Sequence, residues 1–164
     1  MKKWFTLVIL VLLVAGCGQK AAPQEENPDT HAEHGDHAVS DIQETTASAS
    51  VLPKFLDSQP EQVRAIYGIA GANAELLEYM PCFCGCGETA GHKNNKNCFI
   101  HSINSDGSVV WDDHGTRCGL CMEITVVAAG MKHEGKSDLE IRNFIDETYG
   151  SDYGPSTDTP MPAM

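Results

Sequence analysis

Cys82, Cys84 and Cys86 alternate with single spacers in the stretch Pro81-Cys82-Phe83-Cys84-Gly85-Cys86-Gly87. A second thiol pair follows as Cys118-Gly119-Leu120-Cys121, with Cys98 between. Thiols at this density pair as disulfides, exchange them, or ligate a soft metal. In a straight strand alternate cysteines would share a face but stand about 7 Å apart, from a rise of about 3.3 Å per residue. That is too far to share one small ion, and Gly85 and Gly87 permit the sharp turn that would gather them. A Cys-x-Cys disulfide closes a very small, strained ring, so the alternate spacing favours metal. Cys118 and Cys121, three apart at the start of an expected helix, can present both sulfurs on one face. The helix N-terminus and Arg117 beside it favour thiolate there.

The leading candidate ligands are therefore Cys82, Cys84, Cys86, Cys118 and Cys121, with His92, Cys98, His101 and His114 available to complete the set. Two thiolate pairs would satisfy a tetrahedral zinc ion, and a surplus of sulfur suits Cu(I). Two other readings stay open. Six cysteines can pair fully as a structural disulfide framework, and Cys118 and Cys121 can serve a thiol–disulfide oxidoreductase, although no thioredoxin-like βαβ pattern surrounds them. No Ser-His-Asp pattern, phosphate-cradling loop or carboxylate pair suggests another catalytic centre, and no catalytic residue is assigned. Asp112, Asp113 and His114 are explained by turn polarity, and Met122 and Met131 by packing.

The compartment comes from the other end of the chain. Lys2 and Lys3 precede an apolar run from Trp4 to Val14, too short for a mature membrane span and laid out as a signal peptide over residues 1–16. Val14-Ala15-Gly16-Cys17 resembles the lipobox of bacterial lipoproteins, which implies that Cys17 is lipidated and begins the mature chain. The leader takes Lys2 and Lys3 with it, so 11 basic residues fall to 9 against 23 acidic ones, and the net charge moves from −12 to −14. Such a chain repels nucleic acid and anionic headgroups, which leaves the lipid itself as the anchor.

Residues 17–50 carry few large apolar side chains and are expected to form a disordered tether. Within it His31, His34 and His37 alternate with carboxylates and form an auxiliary arm for zinc or Cu(II). The folded region is expected over residues 51–153 as a small, mostly α, cysteine-rich domain. Pro60 opens one helix carrying Val63, Ile66, Tyr67 and Ala70, which Gly71 would end. Asn73 would cap a second, stopped by Pro81. Asn104-Ser105-Asp106-Gly107 between apolar runs favours a short hairpin; as a calcium loop it lacks the first acidic ligand and the closing glutamate. Two helices follow, one ended by Gly135 and one opened by the capping box Ser137-Asp138-Leu139-Glu140. The tail 154–164, with three prolines, is expected to be disordered.

The stretch Pro81 to Cys86 resembles the signature of the PCYCGC-motif lipoproteins of Bacillus-type bacteria, with Phe83 where that motif has tyrosine. The similarity extends through Gly91-His92, Cys98, His114-Gly115, Cys118 and Cys121 to Ile141-Arg142 and Tyr149. It implies a Gram-positive surface protein held at the outer membrane face, and it carries no function with it. A lipid-anchored domain that handles copper or zinc is the expectation, with no protein partner named.

Overall fold

The computed structural model describes residues 41–163. The leader, Cys17 and the arm His31, His34 and His37 lie outside the described residues. Among those described are three strands and five α-helices: β1 (Gln43–Thr46), α1 (Glu61–Ala72), α2 (Ala74–Leu77), α3 (Cys86–Thr89), β2 (Ile100–Ile103), β3 (Val109–Asp112), α4 (Gly119–His133) and α5 (Asp138–Tyr149). None of these helices is long and apolar enough to cross a membrane.

The expected hairpin is β2–β3, turned by Gly107 at φ +84°. The Asp106 carboxylate accepts from the Ser108 amide and hydroxyl at 2.9 and 2.6 Å, which ties it into the turn. A third strand was not expected. β1 lies in the stretch read as tether, and it pairs antiparallel with β3 from Gln43↔Asp112 to Thr46↔Val109, giving the order β1-β3-β2. Composition conceals it because the strand is polar, and its partner supplies the apolar face. Trp111, fully buried, donates its indole N–H to Thr46 Oγ1 at 2.7 Å, and the Glu44 carboxylate accepts from the Lys54 and Phe55 amides. The fold therefore takes in residues ahead of the boundary expected at 51, Gln43–Thr46 among them.

The core gathers Tyr67 of α1, Leu77, Met80, Phe99, Trp111, Ile124 of α4, and Ile141 and Ile145 of α5, all essentially inaccessible. The helix stripes read from the sequence thus face one another. Gly71 does not end α1, which runs on to Ala72. A Cβ at Gly71 would stand 2.6 Å from the Ala49 carbonyl oxygen and 2.9 Å from Trp111, so this glycine lets β1's continuation and the indole approach the helix. Asn73 sits before α2 as expected, yet its side chain points backward, donating to the Ile69 carbonyl at 2.9 Å. Gly135 (φ +84°) follows α4, and the Ser137–Glu140 capping box opens α5, both as expected.

The tail also departs from expectation. It has no regular structure, but Thr157 and Cys82 exchange hydrogen bonds, Thr157 N to Cys82 O at 3.0 Å and Cys82 N to Thr157 Oγ1 at 2.9 Å. Arg142, nearly buried on α5, donates to the carbonyls of Tyr79, Thr159 and Pro160. Proline-rich composition signals no helix or strand, but it does not prevent an extended segment from satisfying buried donors.

Candidate metal centre

Three elements deliver the sulfurs. The first is the run after Met80, where Gly85 takes φ +82° as the residue before α3. That left-handed residue folds the ladder, and Cys84 Sγ comes to 3.1 Å from Cys82 Sγ and 2.8 Å from Cys86 Sγ. Gly87 has a different role from the one expected: a Cβ there would lie 2.8 Å from Thr157 Cγ2, so it makes room for the tail. The second element is α4, which starts after Cys118 and carries Cys121 in its first turn. The third is the short 3-10 turn Asn95–Cys98, which presents Cys98 from beneath.

Cys121 is the hub. Its Sγ lies 2.9 Å from Cys98, 3.7 Å from Cys82 and 3.8 Å from Cys84. A tetrahedral ion with metal–sulfur bonds near 2.3 Å needs sulfurs about 3.8 Å apart, so the last two spacings already match two edges of such a site, while Cys98 stands closer. The donor atoms of Cys82, Cys98 and Cys121 lie within 4.8 Å of one another, as do those of Cys84, Cys118 and Cys121. All six cysteines of the described residues are free thiols.

Cys86 groups with Cys82 and Cys84, their donor atoms within 4.8 Å of one another, and it also meets the imidazoles. Its Sγ lies 3.0 Å from His114 Nε2, and Cys86, His92 and His114 form a further group with donor atoms within 4.8 Å. The two imidazoles meet edge to face at 4.6 Å between centroids, and His92 Nδ1 reaches back to Cys98 Sγ at 3.4 Å. His101, proposed with them, is not brought in. Strand alternation buries Ile100 and exposes His101 at the β2 bulge, where its ring meets Gln43 instead, at 3.0 Å.

The sulfurs polarise one another. Hydrogen bonding from Cys121 draws the Cys82 thiol down to about 5, with Cys98 and His92 helping. Cys84 is held well below the ordinary thiol range by Cys118 and Cys121, and Cys118 is lowered chiefly by Cys121. The donors pay the complement: Cys98 and Cys121 are raised, each first through its bond with Cys118. Burial lowers His92, but its bond to Cys82 and the charges of Cys82, Asp112 and Asp41 outweigh this and raise it. The downward shift at Cys118 thus comes first from Cys121. Arg117, expected to assist, is engaged by Asp113 at 2.7 Å and by Asp41.

Three contributors were missed by sequence reasoning. Asn95, fully buried, donates to the Cys121 carbonyl at 3.2 Å and accepts from Thr125 Oγ1 at 2.8 Å, locking the 3-10 turn to α4. Thr157 holds the Cys82 backbone from the tail. Asp41 stands 3.1 Å from His114 Nδ1. Each lies in a polar stretch whose composition reads as loop or tether.

The family described as "Protein of unknown function with PCYCGC motif" matches residues 6–162, which takes in the thiol run, both histidines and the tail. The chain belongs to this family. Comparison with curated proteins and with solved structures gave no match. In this PCYCGC-motif protein Phe83, standing where the motif has tyrosine, is buried against Tyr149 at 6.3 Å between centroids, so the position is filled by packing.

Proposed function

We propose that this PCYCGC-motif protein is a lipid-anchored, extracytoplasmic metal-handling protein whose cysteine cluster binds a thiophilic ion, copper or zinc. One observation carries the reading: five sulfurs from three separate elements converge at Cys121, with Cys82 and Cys84 at the edge length of a tetrahedral thiolate site from it. The lipobox-like Val14-Ala15-Gly16-Cys17 supports anchoring through Cys17 at the outer membrane face of a Gram-positive, Bacillus-type cell. The His31, His34 and His37 arm would gather ions weakly and raise their concentration beside the cluster. The acidic charge disfavours nucleic acid as a partner.

The test is metal content and free-thiol count on the full chain, purified anaerobically in detergent. Near-stoichiometric copper or zinc with chelator-sensitive folding supports the reading. No metal with three disulfides overturns it in favour of a stapled binding module. For the anchor, Cys17→Ala should abolish labelling by radioactive fatty acid; continued labelling refutes it.

A second reading, thiol–disulfide exchange, is favoured by the half-exposed, low Cys118 paired with the buried, raised Cys121. Reversible oxidation confined to Cys118 and Cys121 in metal-free protein would select it.

A further inference from the structure

We propose that the chain holds two metal centres rather than one: an inner all-sulfur centre around Cys121, and an outer centre of Cys86, His92 and His114 for a borderline divalent ion such as zinc. This rests on the reading that the cluster takes metal, and it divides that cluster by donor chemistry. Cys82, Cys84, Cys98, Cys118 and Cys121 offer sulfur alone, which suits Cu(I) or zinc. One thiolate with two imidazoles is the softer-to-borderline set that zinc accepts, with a fourth position left for water or exchange. Cys84 Sγ, 2.8 Å from Cys86 Sγ, stands between the two centres.

The orientation of His114 is the second observation. Its Nε2 faces Cys86 Sγ at 3.0 Å while Nδ1 lies 3.1 Å from Asp41 Oδ1. A histidine that ligates metal through one nitrogen donates its other N–H to a carboxylate or carbonyl, which fixes tautomer and ring direction. Asp41 is itself held by Arg117, which also binds Asp113, and Asp112 Oδ1 accepts from the His114 amide at 2.9 Å. Asp41 is thus a positioning residue for the outer centre.

Both centres can be reached from solution. In the inner one Cys98 and Cys121 are buried but Cys84 and Cys118 are partly exposed. In the outer one His92 borders two surface cavities, one of about 400 Å³ with Gly85, Gly87 and Thr157, the other of about 320 Å³ with Asp41, His101 and Asp112.

The test titrates the full chain, anaerobically in detergent, with Co(II) alone and then Zn(II) alone, reading stoichiometry and the thiolate-to-cobalt charge-transfer bands. Wild type should bind two ions tightly, apart from weak loading of the His31, His34 and His37 arm, the first with intense thiolate bands and the second with weaker ones. The His92→Ala/His114→Ala pair should bind one ion and keep the intense bands. Asp41→Asn should keep two ions while the affinity of the outer one falls ten- to a hundredfold and the inner one is unchanged. A single ion in wild type, bound equally by the double variant, overturns the second centre and leaves the metal reading standing. No ion in wild type overturns both. Should the double variant unfold, Asp41→Asn decides: an equal loss at both ions, or none, overturns the division.

Discussion

His114 lies between Asp41 Oδ1, 3.1 Å from its Nδ1, and Cys86 Sγ, 3.0 Å from its Nε2. Through this one ring, the segment leading into β1 is joined to the thiol run. The domain cannot be trimmed at Val51 without losing that link, the β1 ladder and the partner of the Trp111 indole. A chain starting at residue 51 should be less stable than one starting at residue 38 by at least about 2 kcal/mol, the order expected for one orphaned buried donor plus lost pairing. Urea midpoints of the two fragments check this, and equal midpoints would make β1 an ornament.

Arg142 provides a second stability prediction. Three carbonyls, of Tyr79, Thr159 and Pro160, depend on one guanidinium, which Asp146 also holds at 2.8 Å. Arg142→Ala should destabilise by about 2–3 kcal/mol, as for loss of charge-assisted hydrogen bonds in a buried setting. It should also free the tail to proteolysis after Gly154. A change within about 0.5 kcal/mol, typical of a surface substitution, would mean the tail is a passive appendage.

What was legible in the sequence, and what was not, follows one division. Apolar periodicity placed α1, α4 and α5, the Asp106-Gly107 turn placed the hairpin, and the capping box placed the start of α5, because each is a local signal. The thiol run and Cys118 to Cys121 were legible as chemistry, and the structure brings them together with Cys98, His92 and His114. Illegible were the contributions that depend on a distant partner. β1 is polar and exists because β3 lies open beside it; Thr157 matters because the Cys82 backbone needs partners. Asn95 looked like one more loop asparagine until its amide met the Cys121 carbonyl. His101 failed for the opposite reason: it sits among candidate ligands in sequence, but strand alternation turns it outward.

Two glycines in α1 separate packing from propensity. Gly71→Ala would drive a Cβ to 2.6 Å from a backbone oxygen, where no side-chain adjustment helps, and should destabilise by about 1–3 kcal/mol. Gly68 has nothing within 4 Å of the same position, so Gly68→Ala should stabilise by about 0.5–1 kcal/mol through helix propensity. Thermal unfolding of the two variants should move in opposite directions. Movement the same way would show that β1's continuation does not lie against α1.

The Cys82 thiol gives the metal-free protein a pH dependence. Cys121 donates to it and holds it near 5, whereas in the unfolded chain a thiol titrates near about 8.5. Between these values the folded state binds fewer protons, so stability rises with pH. This contribution is complete above the unfolded value and is lost as pH falls through about 5. Under reducing, metal-free conditions the urea midpoint should decline from pH 8.5 toward pH 5, and Cys82→Ser should flatten that slope. An unchanged slope in the variant would detach Cys82 from the thiol network.

X-ray absorption at the edge of the bound ion reads directly whether the sulfurs around Cys121 ligate metal. On the full chain, purified anaerobically in detergent and loaded with zinc, a dominant sulfur shell at about 2.3 Å is expected, reduced in Cys121→Ser. A shell of nitrogen and oxygen alone at about 2.0–2.1 Å, unaltered by Cys121→Ser, would contradict it.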